Sequence, residues 1–136
     1  MVGKFGTVLV THGSLGEALV ETCRLITREF ENITQVAVNA SDDVAAVRAR
    51  IEKAIEEVNG PGGTILFVDM FGGTPSNISL SFLSGGNVEV VTGVNLPMLT
   101  KLSNLDDSLT LGEAAAVLRD YGRNHIKVAA EYLSGK

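Results

Sequence analysis

Four short apolar runs alternate along the chain with longer segments in which apolar residues recur at helical spacing, and this alternation restricts the fold more than any other feature of the sequence. The runs cover residues 5–10, 33–38, 64–69 and 88–92. The third run is apolar on both faces until Asp69, which predicts a strand that helices cover above and below. We therefore expect an α/β fold: an open, mostly parallel, doubly wound sheet of flavodoxin-like order 2-1-3-4 with helices on both faces.

Capping signals indicate where the helices begin. Ser14 and Thr110 each have a glutamate three residues later, which is the spacing of a capping box, and each is expected to cap a helix. Ser41 and Thr74 are expected to cap two further helices, the second of which has Pro75 at its first helical position. Each predicted strand is thereby followed by a helical segment.

No repeat, low-complexity tract or Pro/Gly-rich linker divides the 136 residues, and we expect one domain over residues 1–136. After Gly122 the pattern fits both a continued helix and an edge strand across residues 124–133. The sequence leaves these two possibilities open.

Charge and cysteine content exclude some classes of protein. The net charge of −5, without clustered Lys or Arg, argues against nucleic-acid binding. Cys23 is the only cysteine, so an internal disulfide is impossible and a reducing compartment is indicated. The N-terminus lacks the pattern of a signal peptide, and no apolar stretch approaches the roughly 20 residues that span a bilayer. We expect a cytoplasmic protein.

Two chemically versatile side chains follow neighbouring strands of the predicted sheet. His12 lies just past the first strand and Asp69 ends the third. In sheets of this order, ligands bind at the carboxyl ends of the strands, at the point between strands 1 and 3 where the strand order reverses. A carboxylate at that place accepts a hydrogen bond from the N–H of one imidazole nitrogen and leaves the lone pair of the other nitrogen free to attack.

A glycine-rich turn follows Asp69 and opens the next helix. Gly72 and Gly73 allow backbone N–H groups to approach a ligand closely, and with Thr74 they predict an anion site beside His12. No cluster of metal ligands accompanies them, so we expect a metal-free transfer to a nucleophilic histidine, without a cofactor.

Three other residues have open or structural interpretations. Met70 and Phe71 are either core residues or an exposed docking surface for a partner. His125 has no chemical context and is interpreted as a solvated or interface residue.

Three blocks of sequence together resemble a known family. Residues 68–77, Val-Asp-Met-Phe-Gly-Gly-Thr-Pro-Ser-Asn, closely resemble a motif of the mannose/fructose/sorbose-family enzyme IIA proteins of the bacterial sugar phosphotransferase system. Residues 93–99, Gly-Val-Asn-Leu-Pro-Met-Leu, resemble a second block of that family. Thr11-His12-Gly13 is similar to its phosphorylation site in position and context. The resemblance extends to about Leu133.

The resemblance implies that His12 accepts a phosphoryl group on Nε2 from the phosphocarrier HPr and passes it to an enzyme IIB. It implies that Asp69 holds the Nδ1 proton, and that the Thr74 hydroxyl and the amides near Gly73 contact the phosphoryl oxygens. Members of the family are homodimers in which a C-terminal strand crosses to the other subunit's sheet. Because some relatives carry a IIB domain and this chain stops at Lys136, the acceptor is expected to be a separate protein, and any link to a membrane to run only through permease components.

Two other functions remain as alternatives. A regulatory module of the same fold, in which other proteins read the phosphorylation state of His12, would use the same donor chemistry. A small-molecule hydrolase with His12 as nucleophile or base is disfavoured, because the sequence places no second acid–base group near the crevice.

Overall fold

The computed structural model describes residues 4–27, 31–58 and 60–135. Its centre is a four-stranded sheet in the order β2-β1-β3-β4, and all three strand pairings are parallel. The strands are β1 (Gly6–His12), β2 (Ile33–Val38), β3 (Thr64–Val68) and β4 (Val88–Thr92). The predicted fold class and strand order are thereby confirmed.

Helices cover both faces of the sheet. They are α1 (Leu15–Ile26), α2 (Val44–Val58), α3 (Thr74–Leu80), α4 (Leu96–Lys101), α5 (Leu111–Asn124) and α6 (Ala129–Leu133), with short 3₁₀ turns at Leu83–Gly85 and Leu102–Asn104. One apolar core lies between the sheet and α1, α4 and α5, and a second lies between the sheet and α2 and α3. None of the helices in these residue ranges is long and apolar enough to cross a membrane.

Strand β1, which lies between β2 and β3, contributes side chains to both cores. Leu9 belongs to the core with α1, whereas Val8 and Val10 belong to the core with α2. All five residues of β3 are buried as well. This two-sided burial is the property that predicted a parallel sheet between helical layers.

The start of α1 differs from the expected capping box. Ser14 precedes the helix, but its side chain makes no capping hydrogen bond. The amide of Gly16 instead donates to Oγ1 of Thr11, at 2.7 Å, and Thr11 is completely buried. The prediction that Ser14 caps this helix with Glu17 was wrong, because a hydroxyl on the preceding strand already satisfies an amide of the first helical turn.

Two further caps also differ from the prediction. The carboxylate of Asp43 accepts the amide of Ala46 at the start of α2, so Ser41 lies too early to cap this helix. Thr74 is the first residue of α3, and the capping position belongs to Gly73, whose φ of 86° and ψ of 173° place it in a region that is essentially restricted to glycine. The start of α3 therefore depends on the backbone conformation of Gly73 and not on a capping hydroxyl.

The last part of the chain forms helices. The capping box of Thr110 and Glu113 at the start of α5 is confirmed, since each side chain accepts the other residue's amide. The segment 124–133, for which the sequence fitted both a helix and a strand, contains the short helix α6. Every residue from 123 to 135 is exposed. In the single chain, residues 123–135 form no edge strand.

Candidate active site

His12 and Asp69 meet at the carboxyl edge of the sheet. His12 is the last residue of β1 and not the residue just past its end, because β1 keeps pairing with β2 up to Val38 and extends two residues beyond the predicted run 5–10. Asp69 follows β3, the other neighbour of β1, and so the two side chains come together although they are 57 positions apart in sequence. Nδ1 of His12 lies 2.8 Å from Oδ2 of Asp69.

The carboxylate of Asp69 is held by three hydrogen bonds. Its Oδ2 accepts the backbone N–H of His12, at 2.9 Å, as well as the contact with the ring, and its Oδ1 accepts the amide of Met70, at 3.0 Å. Burial raises the pKa of Asp69, but the hydrogen bonds and charge of His12 and the Met70 amide together lower it below the ordinary value. An ionised carboxylate only accepts hydrogen bonds, so in the neutral ring Nδ1 is the donor and Nε2 carries the free lone pair.

The exposures of the two side chains fit these different roles. The side chain of His12 is 52% exposed, whereas that of Asp69 is only 12% exposed. The ring therefore remains accessible to a reactant while its orienting carboxylate is shielded from water.

Hydrogen bonds hold the turn that follows His12. The amide of Gly13 donates to the carbonyl of Val38 on β2, at 2.9 Å. Gly13 has a φ of 54°, in the left-handed region that glycine adopts without strain. On the other side of the turn, the buried Thr11 hydroxyl holds the amide of Gly16. Thr11 was named from the sequence only as part of the Thr11-His12-Gly13 block, and no role was predicted for its hydroxyl.

The glycine-rich turn passes directly beside the ring of His12. A Cβ atom placed on Gly73 would lie 3.4 Å from Cε1 and 3.6 Å from Nε2 of His12. Gly72 and Gly73 both have positive φ, at 88° and 86°. The backbone at Gly73 therefore approaches the side of the ring that carries Nε2, and Thr74 follows it as the first residue of α3.

The two apolar residues next to Asp69 are exposed. Met70 is 56% and Phe71 is 74% exposed, so the interpretation of them as core residues is excluded. Leu15, at the start of α1 and three positions after His12, is also largely exposed. The surface near the accessible histidine thus presents large apolar side chains.

His125 lies outside this arrangement. It follows the end of α5, where its ring contacts that of Tyr121 at a centroid distance of 4.2 Å and its Nδ1 lies 2.7 Å from the Tyr121 carbonyl oxygen. Within residues 4–27, 31–58 and 60–135, no group of three or more His, Cys, Asp or Glu side chains is placed to hold a metal ion.

A second feature of this edge is a cleft between α2 and α3. Its volume is about 330 Å³, and it is lined by Val44, Arg48, Thr74, Asn77, Ile78 and Ser81. The lining includes Thr74, which also belongs to the turn beside His12. No sequence pattern indicates this cleft, because its walls come from two helices that are distant along the chain.

Comparison with known proteins identifies similar chains. A family model described as the PTS system fructose IIA component matches residues 6–118. The PTS system fructose-specific EIIA component of Bacillus subtilis (strain 168) is 26% identical over 127 residues, which cover 93% of this chain and 87% of that protein. The PTS system mannose-specific EIIAB component of Escherichia coli (strain K12) is 28% identical over 122 residues, which cover 88% of this chain but only 38% of the relative.

A solved structure shows the same fold. The mannose/sorbose-specific IIA subunit of the phosphotransferase system from Enterococcus faecalis superposes with a TM-score of 0.81 at 24% identity, covering 94% of this chain and 95% of that one. At this level of identity the comparison supports the shared architecture.

Proposed function

The chain belongs to the PTS fructose IIA component family, the mannose-type enzyme IIA proteins of the phosphotransferase system, and we propose that it relays phosphoryl groups through His12. In this proposal His12 accepts a phosphoryl group on Nε2 from the phosphocarrier HPr and donates it to an enzyme IIB for sugar uptake. The observation that carries the proposal is the 2.8 Å contact between Nδ1 of His12 and Asp69, which leaves Nε2 free beside the glycine-rich turn.

The proposed reaction exchanges one phosphorus–nitrogen bond for another. The lone pair of Nε2 attacks phosphorus, the Nε2–P bond forms, and the bond between phosphorus and the donor's histidine nitrogen breaks, with its electron pair returning to that nitrogen. The proton on Nδ1 stays on the ring, where Asp69 stabilises the positive charge that the ring gains. Because bonds of the same kind form and break, the protein mainly supplies alignment and stabilisation of the charge on the phosphoryl oxygens.

The glycine-rich turn is the proposed holder of the phosphoryl oxygens. Gly73 lies beside Cε1 and Nε2 of His12, and a side chain at this position would occupy the space next to the attacking nitrogen. We assign the oxygen contacts to the backbone at Gly72 and Gly73 and to the Thr74 hydroxyl. The proposed transfer uses these groups of the chain and no metal or cofactor.

The proposal includes the assembly that the family resemblance implies. Residues 1–136 act as one IIA domain, and two copies form a homodimer through their C-terminal segments. The exposed apolar side chains of that segment support this assignment, because a single chain leaves them uncovered. They are Ile126, Val128, Tyr132 and Leu133.

Phosphorylation is the direct test of the relay. The protein is incubated with phosphoenolpyruvate, enzyme I and HPr, and its intact mass is measured before and after acid and alkali treatment. We expect one phosphoryl group that is labile in acid and stable in alkali, absent in His12→Ala and retained in the matched control His125→Ala. Persistent labelling of His12→Ala would refute the proposed site.

Transfer onward separates the relay from the regulatory alternative. The isolated phosphoprotein is mixed with candidate IIB proteins, and loss of its label is followed with time. Passage of the label to a IIB supports the relay. A label that forms on His12 and passes to no IIB would favour the regulatory module.

A further inference from the structure

The cleft between α2 and α3 adjoins the proposed phosphoryl site. Thr74 lines the cleft and also follows Gly73, whose backbone lies beside the His12 ring. Consecutive Cα atoms are about 3.8 Å apart, so the end of the cleft that Thr74 lines is close to the His12 ring. Its opposite wall is formed by Val44 and Arg48 from the first turns of α2.

Arg48 is held in place at this wall. Its Nη1 donates to Oγ of Ser81, at 2.5 Å, and that hydroxyl in turn donates to the carbonyl of Ile78, at 2.6 Å. The guanidinium also lies over the ring of Phe82, with 4.9 Å between Cζ and the ring centroid. A guanidinium fixed in this way loses little conformational freedom when it binds an anion.

The charge of Arg48 is only weakly compensated within the chain. Its Nε lies 3.6 Å from the carboxylate of Glu52, one helical turn later, and both side chains are substantially exposed, at 45% and 56%. Exposed pairs of this kind contribute little, because water screens the attraction. The guanidinium therefore retains N–H groups and charge that are available to a ligand.

A protein that reaches His12 would cover this cleft. Standard protein–protein interfaces bury about 800 Å² on each partner, which corresponds to a disc of roughly 16 Å radius. A disc of this size centred on His12 reaches the cleft, since Thr74 lines the cleft and directly follows Gly73, which lies beside the ring. Docking would remove water from the N–H groups of Arg48 that have no partner within the chain, so a protein that presents an acceptor there binds more favourably than one that does not.

We propose that the cleft receives a carboxylate side chain of the protein that phosphorylates His12. The carboxylate pairs with the free N–H groups of Arg48 in the planar geometry that guanidinium groups favour. Its methylene groups pack against Val44 and Ile78, and the Asn77 amide borders the same space. This inference rests on the proposed function, and it assigns to the cleft the role of fixing how the donor docks.

The test measures docking separately from chemistry. Initial rates of His12 phosphorylation are measured against the concentration of phosphorylated HPr for wild type, Arg48→Gln, Arg48→Lys and Arg119→Gln. Arg119 is the matched control, because it is an exposed arginine on α5 that pairs with its neighbour Asp120. For Arg48→Gln we expect KM to rise about tenfold or more with little change in kcat, since loss of a covered charge pair weakens docking.

The other variants refine this expectation. Arg48→Lys keeps the charge without the planar fork and should raise KM less, whereas Arg119→Gln should leave KM unchanged. Thermal unfolding of each variant checks that the packing of α2 on α3 survives. A KM for Arg48→Gln equal to that of Arg119→Gln, or a lower kcat at unchanged KM, would overturn the proposal.

Binding of unphosphorylated HPr, measured by NMR titration, distinguishes failure of this inference from failure of the proposed function. Weaker binding to Arg48→Gln than to wild type supports the docking role even if no phosphoryl group is transferred. Equal binding to the two proteins overturns the docking role while the relay remains intact. If wild type neither binds HPr nor accepts its phosphoryl group, both proposals fail.

Discussion

Replacing Asp69 with asparagine tests whether the carboxylate acts on the chemistry of His12. Oδ2 of Asp69 holds both the backbone N–H and Nδ1 of His12. The backbone bond is present before and during transfer and so does not change the barrier. The bond to Nδ1 strengthens as the ring gains positive charge, and a hydrogen bond to a charged group contributes about 1.5–3 kcal/mol.

This energy sets the expected loss of rate. If Asp69→Asn removes the charged interaction at Nδ1, the rate of phosphoryl transfer should fall roughly 10- to 150-fold, because each 1.36 kcal/mol corresponds to a factor of ten. Asparagine keeps the shape of the side chain, and its carbonyl still offers an acceptor to the backbone. We expect the fold to persist and the affinity for the donor to change little.

The pH dependence of stability provides a second measurement on the same residue. The pKa of Asp69 is below its ordinary value of 3.8 in the folded protein, since the hydrogen bonds and charge of His12 outweigh the effect of burial. The associated stabilisation is therefore present above the unfolded-state value and is lost as the pH falls through the lower folded value. Asp69→Asn should lose this acid-range dependence, which urea unfolding at a series of pH values measures.

The assay follows transfer from phosphorylated HPr by rapid quench, together with ¹⁵N NMR of the ring nitrogens. Asp106→Asn is the matched control, because Asp106 is also a carboxylate that accepts a backbone amide, that of Ser108, at 2.9 Å. The control should transfer like wild type. A transfer rate for Asp69→Asn within about twofold of wild type, with Nδ1 still protonated, would refute the orienting role.

Three further predictions concern the surroundings of the site. Thr11→Val removes the acceptor of the buried Gly16 amide and should lower the free energy of unfolding by about 1–3 kcal/mol, whereas Thr11→Ser should restore it; equal urea midpoints would contradict this. Gly73→Ala forces a side chain into a glycine-only conformation, at a cost of about 1–3 kcal/mol, and places a methyl group against His12, so unchanged thermal stability and phosphorylation rate would count against the described turn. Burial raises the pKa of Cys23 to about 11, so a thiol reagent at pH 8 should label it much more slowly in the native protein than in urea, and rapid native labelling would be inconsistent with its burial.

The parts of the fold that apolar patterning controls were predictable from the sequence. The strands at residues 33–38 and 88–92 have the predicted bounds, because both runs are rich in β-branched residues, which favour strands. The proximity of His12 and Asp69 was also predictable, since adjacent parallel strands end at the same edge of the sheet.

Individual side-chain hydrogen bonds that strand order does not determine were not predictable. Ser14 and Glu17 have the spacing of a capping box, but the Thr11 hydroxyl on the preceding strand accepts the Gly16 amide at the start of the helix. Arg48 on α2 donates to Ser81 at the end of α3, and these two residues are 33 positions apart in sequence. Nothing in the local sequence indicates this contact. Local patterns describe one element at a time, whereas these interactions are determined by how the elements pack.

The position of β1 between β2 and β3 also affects how readily its backbone amides exchange with solvent. It pairs with a strand on each side, so we expect its paired backbone amides to exchange with solvent only when the sheet separates. Residues 123–135 are exposed in the single chain and lie outside the sheet. We therefore expect the paired amides of β1 to exchange more slowly than those of residues 123–135, and local unfolding of residues 123–135 to leave the contact between the His12 ring and Asp69 intact.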